Sequence, residues 1–182
     1  MRCLLDLDGV LVDFVNGACR AHGRENPFYR YGSAGEWEMA TLWGISQDDF
    51  WLPLRSEEFW AGLFWTEDGS EILALVEQSF GTENVCLLSN PSGHPGAAAG
   101  KIRWIGKYLP QYLDKRFLIG PAKEFCAGTN SVLIDDRAEN IDDFERAGGG
   151  GILVPRAWNR QHKVAWDALR CVEQQIKAIL ND

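Results

Sequence analysis

Short runs of apolar residues alternate along the chain with longer stretches whose apolar positions recur every three or four residues. Five runs are continuous rather than alternating: Arg2 to Leu7, Val85 to Leu88, Arg116 to Ile119, Val132 to Ile134 and Gly151 to Val154. Such runs are the mark of strands covered on both faces. Between them, Ile72, Leu73, Val76 and Phe80 share a helical face. Ile102, Ile105 and Leu109 make a second such face, and Leu169, Val172, Ile176 and Ile179 a third. Strands alternating with helices predict parallel βαβ units. The expected fold is α/β, a doubly wound, Rossmann-like parallel sheet of about five strands. The glycine run Gly148 to Gly151 ends a helix before the fifth strand by allowing positive φ, with no phosphate role. Pro and Gly cluster from Pro91 to Gly100, which reads as a loop.

One region breaks the rhythm. From about Asn16 to Glu67 no buried strand is legible, and five of the eight tryptophans fall there: Trp37, Trp43, Trp51, Trp60 and Trp65. Ser33 with Glu36 reads as a capping box opening a short helix. The region is expected to be a small helical cap inserted after strand one. The division is then 1–15 and 68–182 for the core and 16–67 for the cap.

Composition narrows the function. Apolar residues make up 46% of the 182 positions and charged residues 24%, an ordinary globular balance. Neither a membrane-spanning run nor a signal-peptide pattern is present, so a cytoplasmic protein without membrane partners is expected. A net charge of -8 repels nucleic-acid polymers but not a small phosphorylated substrate. The five cysteines, Cys3, Cys19, Cys86, Cys126 and Cys171, are scattered and odd in number, which argues against zinc or a disulfide framework.

The chemistry lies at strand ends. The first apolar run leads into Asp6-Leu7-Asp8-Gly9, and ligands of open parallel sheets bind at the carboxyl ends of strands. Neighbouring carboxylates repel, and a hard cation such as magnesium compensates. The run Val132 to Ile134 repeats the design with Asp135 and Asp136. If these strands are neighbours, four carboxylates converge. The second run ends in Ser89-Asn90-Pro91, whose hydroxyl and amide can bond a phosphate oxygen, and Lys123 follows the third run. Each element has a plainer reading. Asp-Gly and Ser-Asn-Pro are ordinary turns, Asp136 can cap a helix, and a lysine is most often solvated.

As an ordered set, D-x-D-G-V, a strand-end Ser, Lys and a strand-end Asp-Asp resemble the haloacid-dehalogenase superfamily. Within it the chain resembles the 5'(3')-deoxyribonucleotidases. Asp6-Leu-Asp8-Gly9-Val10-Leu-Val-Asp13-Phe14 is similar to that family's first motif, Lys101-Ile-Arg103-Trp104 to its Lys-x-Arg-Trp, and Ile134-Asp135-Asp136-Arg137 to its fourth motif. Motif two differs: Ser89-Asn90-Pro91 stands where the family usually has Thr-Ser-Pro. Lys123 is flanked by Ala122 and Glu124 where the family usually has Asp and Thr.

The resemblance implies a magnesium-dependent phosphatase acting through an aspartyl-phosphate. Asp6 is the implied nucleophile and Asp8 the general acid, then base. The ion would be held by Asp6, the Asp8 carbonyl and Asp135, with Asp136 orienting its water. Ser89, Asn90 and Lys123 would bind the phosphoryl oxygens, and Phe14, Arg137 and the cap aromatic Trp60 the rest of a nucleoside monophosphate. Phe59 and Phe64 are further cap aromatics for stacking, or else, like Trp60, belong to the cap's own core. His94 is expected at the surface. Two alternatives stay open: a phosphatase for a sugar phosphate or other small phosphomonoester, and a non-catalytic binding module that keeps the fold.

Overall fold

The computed structural model describes residues 1–29, 35 and 37–181. The expected capping box of Ser33 and Glu36 lies outside the described residues. Strands β1 (Arg2–Leu5), β2 (Val85–Ser89), β3 (Phe117–Ile119), β4 (Ser131–Asp135) and β5 (Gly150–Leu153) form one sheet in the order β3-β2-β1-β4-β5. Every pairing is parallel, with Cys3 opposite Val85 and Leu4 opposite Leu133. The first strand thus sits at the centre, and the Asp-Asp strand lies directly beside it.

Helices cover both faces. Alternate strand residues point opposite ways. Cys3 and Leu5 join a core that includes Ile72 and Val76 of α5 (Gly69–Phe80), Ile105 of α6 (Pro95–Tyr108), and Val172 and Ile176 of α8 (Ala168–Asn181). Leu4 and Leu133 instead pack with Ile141 and Phe144 of α7 (Ala138–Arg146). The protein is therefore a doubly wound α/β fold.

Two expectations are corrected. Residues 95–100 are not loop but the opening turns of α6, with Pro95 in the first turn, where its missing N–H is harmless. The buried face of that helix is also rotated from the expected one. Lys101, Trp104 and Ile105 are buried, while Ile102 is 47% exposed. A buried lysine occupies the inner face of the helix, which breaks its apolar period.

The first strand also ends earlier than expected, at Leu5. Asp6 still donates its amide to Ile134, but the Leu7 carbonyl then accepts from Val10, Leu11 and Val12 at 3.2, 2.8 and 2.7 Å. Three amides on one oxygen curl the chain into a tight loop. After it come α1 (Phe14–His22), α2 (Met39–Trp43), α3 (Gln47–Trp51) and α4 (Glu57–Ala61). Among the described residues of 16–67 there is no strand, only a single bridge from Trp65 to Val12.

This helical layer rests on α6. A Cβ on Gly100 would stand 2.5 Å from both the Glu57 carbonyl and the Trp60 Cβ, so only glycine lets α4 approach so closely. Among the described residues no helix is long and apolar enough to cross a membrane. All five cysteines are free.

Candidate active site

The carboxyl ends of β1 and β4 bring the two acidic pairs together. Asp6, Asp135 and Asp136 each offer a carboxylate oxygen, and these oxygens lie within 4.8 Å of one another. All three residues are buried. Lys123, itself 2% exposed, stands between two of them, with Nζ 2.6 Å from Asp135 Oδ2 and 2.9 Å from Asp6 Oδ1. Asp135 is held on every side. Its Oδ1 accepts from the Arg137 amide at 2.8 Å, and its Oδ2 also accepts from Asn140 Nδ2 at 2.9 Å. Asp135, not Asp136, therefore bonds the amide at the start of α7. Arg137 occupies the capping position with no side-chain cap.

The fourth carboxylate faces elsewhere. Asp8 Oδ2 accepts from Lys101, which also donates to the Asn90 carbonyl and, at 2.9 Å, to Ser89 Oγ. The expectation of four converging carboxylates thus becomes three in one group and one on a second buried lysine. Lys101 has no expected site role of its own. The resemblance includes its motif, but its helical position gives no sign that it turns inward 93 residues away from its partner.

Charge is not balanced within this cluster. Asp6, Asp8, Asp135 and Asp136 against Lys101 and Lys123 leave a formal excess of two negative charges (four minus two). Burial pushes the Asp6 carboxyl up to about 6; Lys123 pulls it back, while Asp135 and Asp8 add to the rise. Burial, with Asp135 and Asp6 beside it, raises the Asp136 carboxyl well above the usual range, against a hydrogen bond from Trp158. Burial works against the charged form of Lys123, but Asp135 and Asp6 outweigh it and hold the ammonium above its ordinary value. Asp8 Oδ1 is buried with no hydrogen-bond partner, and Asp6 Oδ1 has only the Lys123 ammonium, at 2.9 Å. An all-oxygen donor set short of two positive charges, with the orphaned Asp8 oxygen beside it, fits a hard divalent cation.

Gly9 makes the approach possible. Its φ is +74°, and a Cβ there would lie 2.1 Å from Asp136 Oδ2. Any side chain would be strained and would collide with that carboxylate.

Above the cluster opens a cavity of about 270 Å³. Asp6, Asp8, Lys123 and Asp136 form its floor, with Asn90 and Ser92 beside them. Its wall is Phe14, Trp37, Glu38, Gln47, Trp51, Trp60, Arg137 and Asn140. Trp60 stacks on Phe14 with centroids 5.3 Å apart and planes at 17°. Trp60 is 1% exposed, and its Nε1 donates to the Leu54 carbonyl at 2.7 Å. It borders the cavity as packed wall. Arg137 lies over the Trp37 ring at 4.8 Å, and its buried Nε has no hydrogen-bond partner, the nearest carboxylate being Glu139 at 3.8 Å. Ser89 lies at the strand end, 1% exposed, as an acceptor for Lys101. Asn90 spends its amide oxygen on the Ser92 N–H at 2.8 Å. Phe59, Phe64 and His94 are not among the lining residues.

Sequence reasoning missed Lys101, Gln47, Asn140 and Trp158 as site residues. Trp158 Nε1 donates to Asp136 Oδ2 at 2.6 Å from the segment after β5. Lys101 gives no sign from its place on the helix, because a lysine there ordinarily lies outward. The others leave no local signal.

No curated protein matches the chain. Among solved structures, a phosphonoacetaldehyde hydrolase like protein from Oleispira antarctica is similar at 15% identity, over 99% of this chain and 84% of its own, with a TM-score of 0.45. The family described as "5' nucleotidase, deoxy (Pyrimidine), cytosolic type C protein" matches residues 1–178. That match spans both acidic pairs, both buried lysines and the aromatic wall, and the chain belongs to this family of haloacid-dehalogenase-type nucleotidases, which makes it a phosphatase-class hydrolase.

Proposed function

We propose that the protein is a magnesium-dependent 5'(3')-deoxyribonucleotidase, releasing phosphate from (deoxy)nucleoside monophosphates through an aspartyl-phosphate on Asp6. The observation that carries this reading is the buried group of three carboxylates on Lys123, with Asp8 on Lys101 beside it, opening directly into an aromatic-walled cavity. Residues 16–67 would act as the cap over that floor, and the family's cytosolic description supports a cytoplasmic location.

In this reading the Asp6 carboxylate attacks phosphorus in line and the P–O bond to the sugar breaks. Asp8 gives its proton to the leaving alkoxide and then takes one from the hydrolytic water. Lys101 orients Asp8 through Oδ2 and leaves Oδ1 without a protein partner for that proton. Lys123 and Asn90, with Ser89 behind them, bind the non-bridging oxygens. Asp6, Asp135 and Asp136, with the Asp8 carbonyl, would hold the magnesium ion, which supplies positive charge against the phosphoryl oxygens. Phe14, Trp51 and Trp37 offer faces for a base, and Arg137 a spare donor.

The test is phosphate release from ribo- and deoxyribonucleoside monophosphates, sugar phosphates and para-nitrophenyl phosphate, with magnesium and with chelator. Selective, magnesium-dependent release from nucleotides is expected. Release from the other esters alone would keep the chemistry and discard the nucleotide.

A further inference from the structure

One short segment after β5 touches both halves of the floor. Its residues are Arg156, Trp158 and Asn159, and each makes a contact distant in sequence. Arg156 reaches 147 residues back, donating Nε to the Gly9 carbonyl at 2.6 Å and one terminal nitrogen to the Val10 carbonyl at 3.3 Å. Its other donors form a two-pronged pair with Asp68, at 2.7 Å on each side. Asp68 sits at the start of α5 and caps nothing there; its carboxylate is turned onto the guanidinium. Asn159 is 5% exposed and donates to the Asp136 carbonyl at 2.7 Å and the Val154 carbonyl at 2.8 Å. Trp158 donates to the Asp136 carboxylate itself.

We infer that Trp158 is a positioning residue for the metal site: its N–H fixes the rotamer of Asp136 so that one carboxylate oxygen remains for the cation. This rests on the magnesium-dependent reading above. An indole nitrogen is a donor only, so it engages Oδ2 of the carboxylate without offering a rival lone pair. The ring is itself held, 5.4 Å from Phe28 and 6.4 Å from Trp37 between centroids. The backbone of Asp136 is fixed by Asn159, and the loop carrying Gly9, against which Asp136 packs, is fixed by Arg156. Side chain, main chain and facing loop are thus set by one segment. Partners in this outer position commonly govern metal affinity about 10- to 100-fold.

The experiment is calorimetric magnesium titration of the substrate-free protein, wild type against Trp158→Phe and Trp158→Leu. Trp158→Phe keeps an aromatic ring against Phe28 and Trp37 and removes the donor. The expected result is a magnesium affinity lowered about tenfold or more in both variants. Turnover at saturating nucleotide should fall at low magnesium and recover as magnesium is raised. Wild-type affinity in Trp158→Phe, whatever its melting temperature, would overturn the inference and leave Trp158 as packing. A wild type that binds magnesium but hydrolyses no nucleotide would instead remove the functional reading, and the role of Trp158 would still be decided by the two affinities.

Discussion

The floor and the wall of the cavity are built by different means. The floor is held by charge: two buried lysines and four carboxylates, three of them buried, with Asp135 fixed by several bonds and the others by a lysine or an indole. The wall is held by ring contacts among Phe14, Trp51 and Trp60, with the polar pair Gln47 and Glu38 bonded at 2.6 Å across its rim. A charged floor tolerates almost no displacement, since a lost partner leaves a buried charge uncompensated. A wall of aromatic contacts can exchange one ring for another with modest loss. The chemistry should therefore depend on the floor, and the choice of substrate on the wall.

The sharpest test of this division is Asp6→Asn. It keeps the shape and removes the proposed nucleophile. Turnover should fall by at least ~3 orders of magnitude, about 4 kcal/mol of barrier, on every substrate alike. Substantial residual phosphate release would mean that the floor has another nucleophile.

Lys101→Met comes next. It removes the cation that links Asp8, Ser89 and the Asn90 carbonyl. A fall in kcat of about 10²-fold is expected, with the ranking of substrates unchanged. A changed ranking would show that floor and wall are not separable.

The third effect is one of stability. Between 3.8 and about 6, the folded protein keeps a proton on Asp6 that the unfolded chain has released. In chelator this group's contribution to stability therefore falls as pH rises through that window, because the folded state must give up a proton it held more tightly. Magnesium, as proposed, would replace the missing positive charge. At about 100 times its dissociation constant it should add about 2.7 kcal/mol, or about 5–10 °C in Tm, at neutral pH. At about pH 5 the gain should shrink, because protons compete for the same oxygens. Equal gains at both pH values, read by thermal melts, would separate the cation from Asp6.

The smallest effect belongs to the wall. Trp51→Leu should raise KM for nucleotides about threefold to tenfold and leave para-nitrophenyl phosphate nearly unchanged. An equal effect on both substrates would make Trp51 packing alone.

The same division separates what was legible in the sequence from what was not. The sheet, its central strand and the acidic pairs could be read because each is local: an apolar run followed directly by its carboxylates. Lys123 was legible by its place after the third strand. Lys101 was not legible because it interrupts an apolar face, and the same interruption makes Ile102 read as a buried position. Trp158 and Arg156 act across 22 and 147 residues, where no pattern of neighbours points to a partner. Of the wall, only Phe14, Trp60 and Arg137 were expected, and only from the resemblance; the rest read as a region rich in tryptophan. Which rings face the cavity depends on how short helices pack, and five-residue helices carry too few positions to show a face.

The seat of α4 on Gly100 has a consequence for how such enzymes can be recombined. Gly100 precedes Lys101 on the same turn of α6, so the surface that receives the helical layer and the lysine that orients Asp8 belong to one rigid piece. A chimera that grafts residues 16–67 of a relative onto this core would bring a foreign α4 down on a helix shaped for its own. The transplantable unit is therefore split in sequence, the inserted helices together with the opening turns of α6.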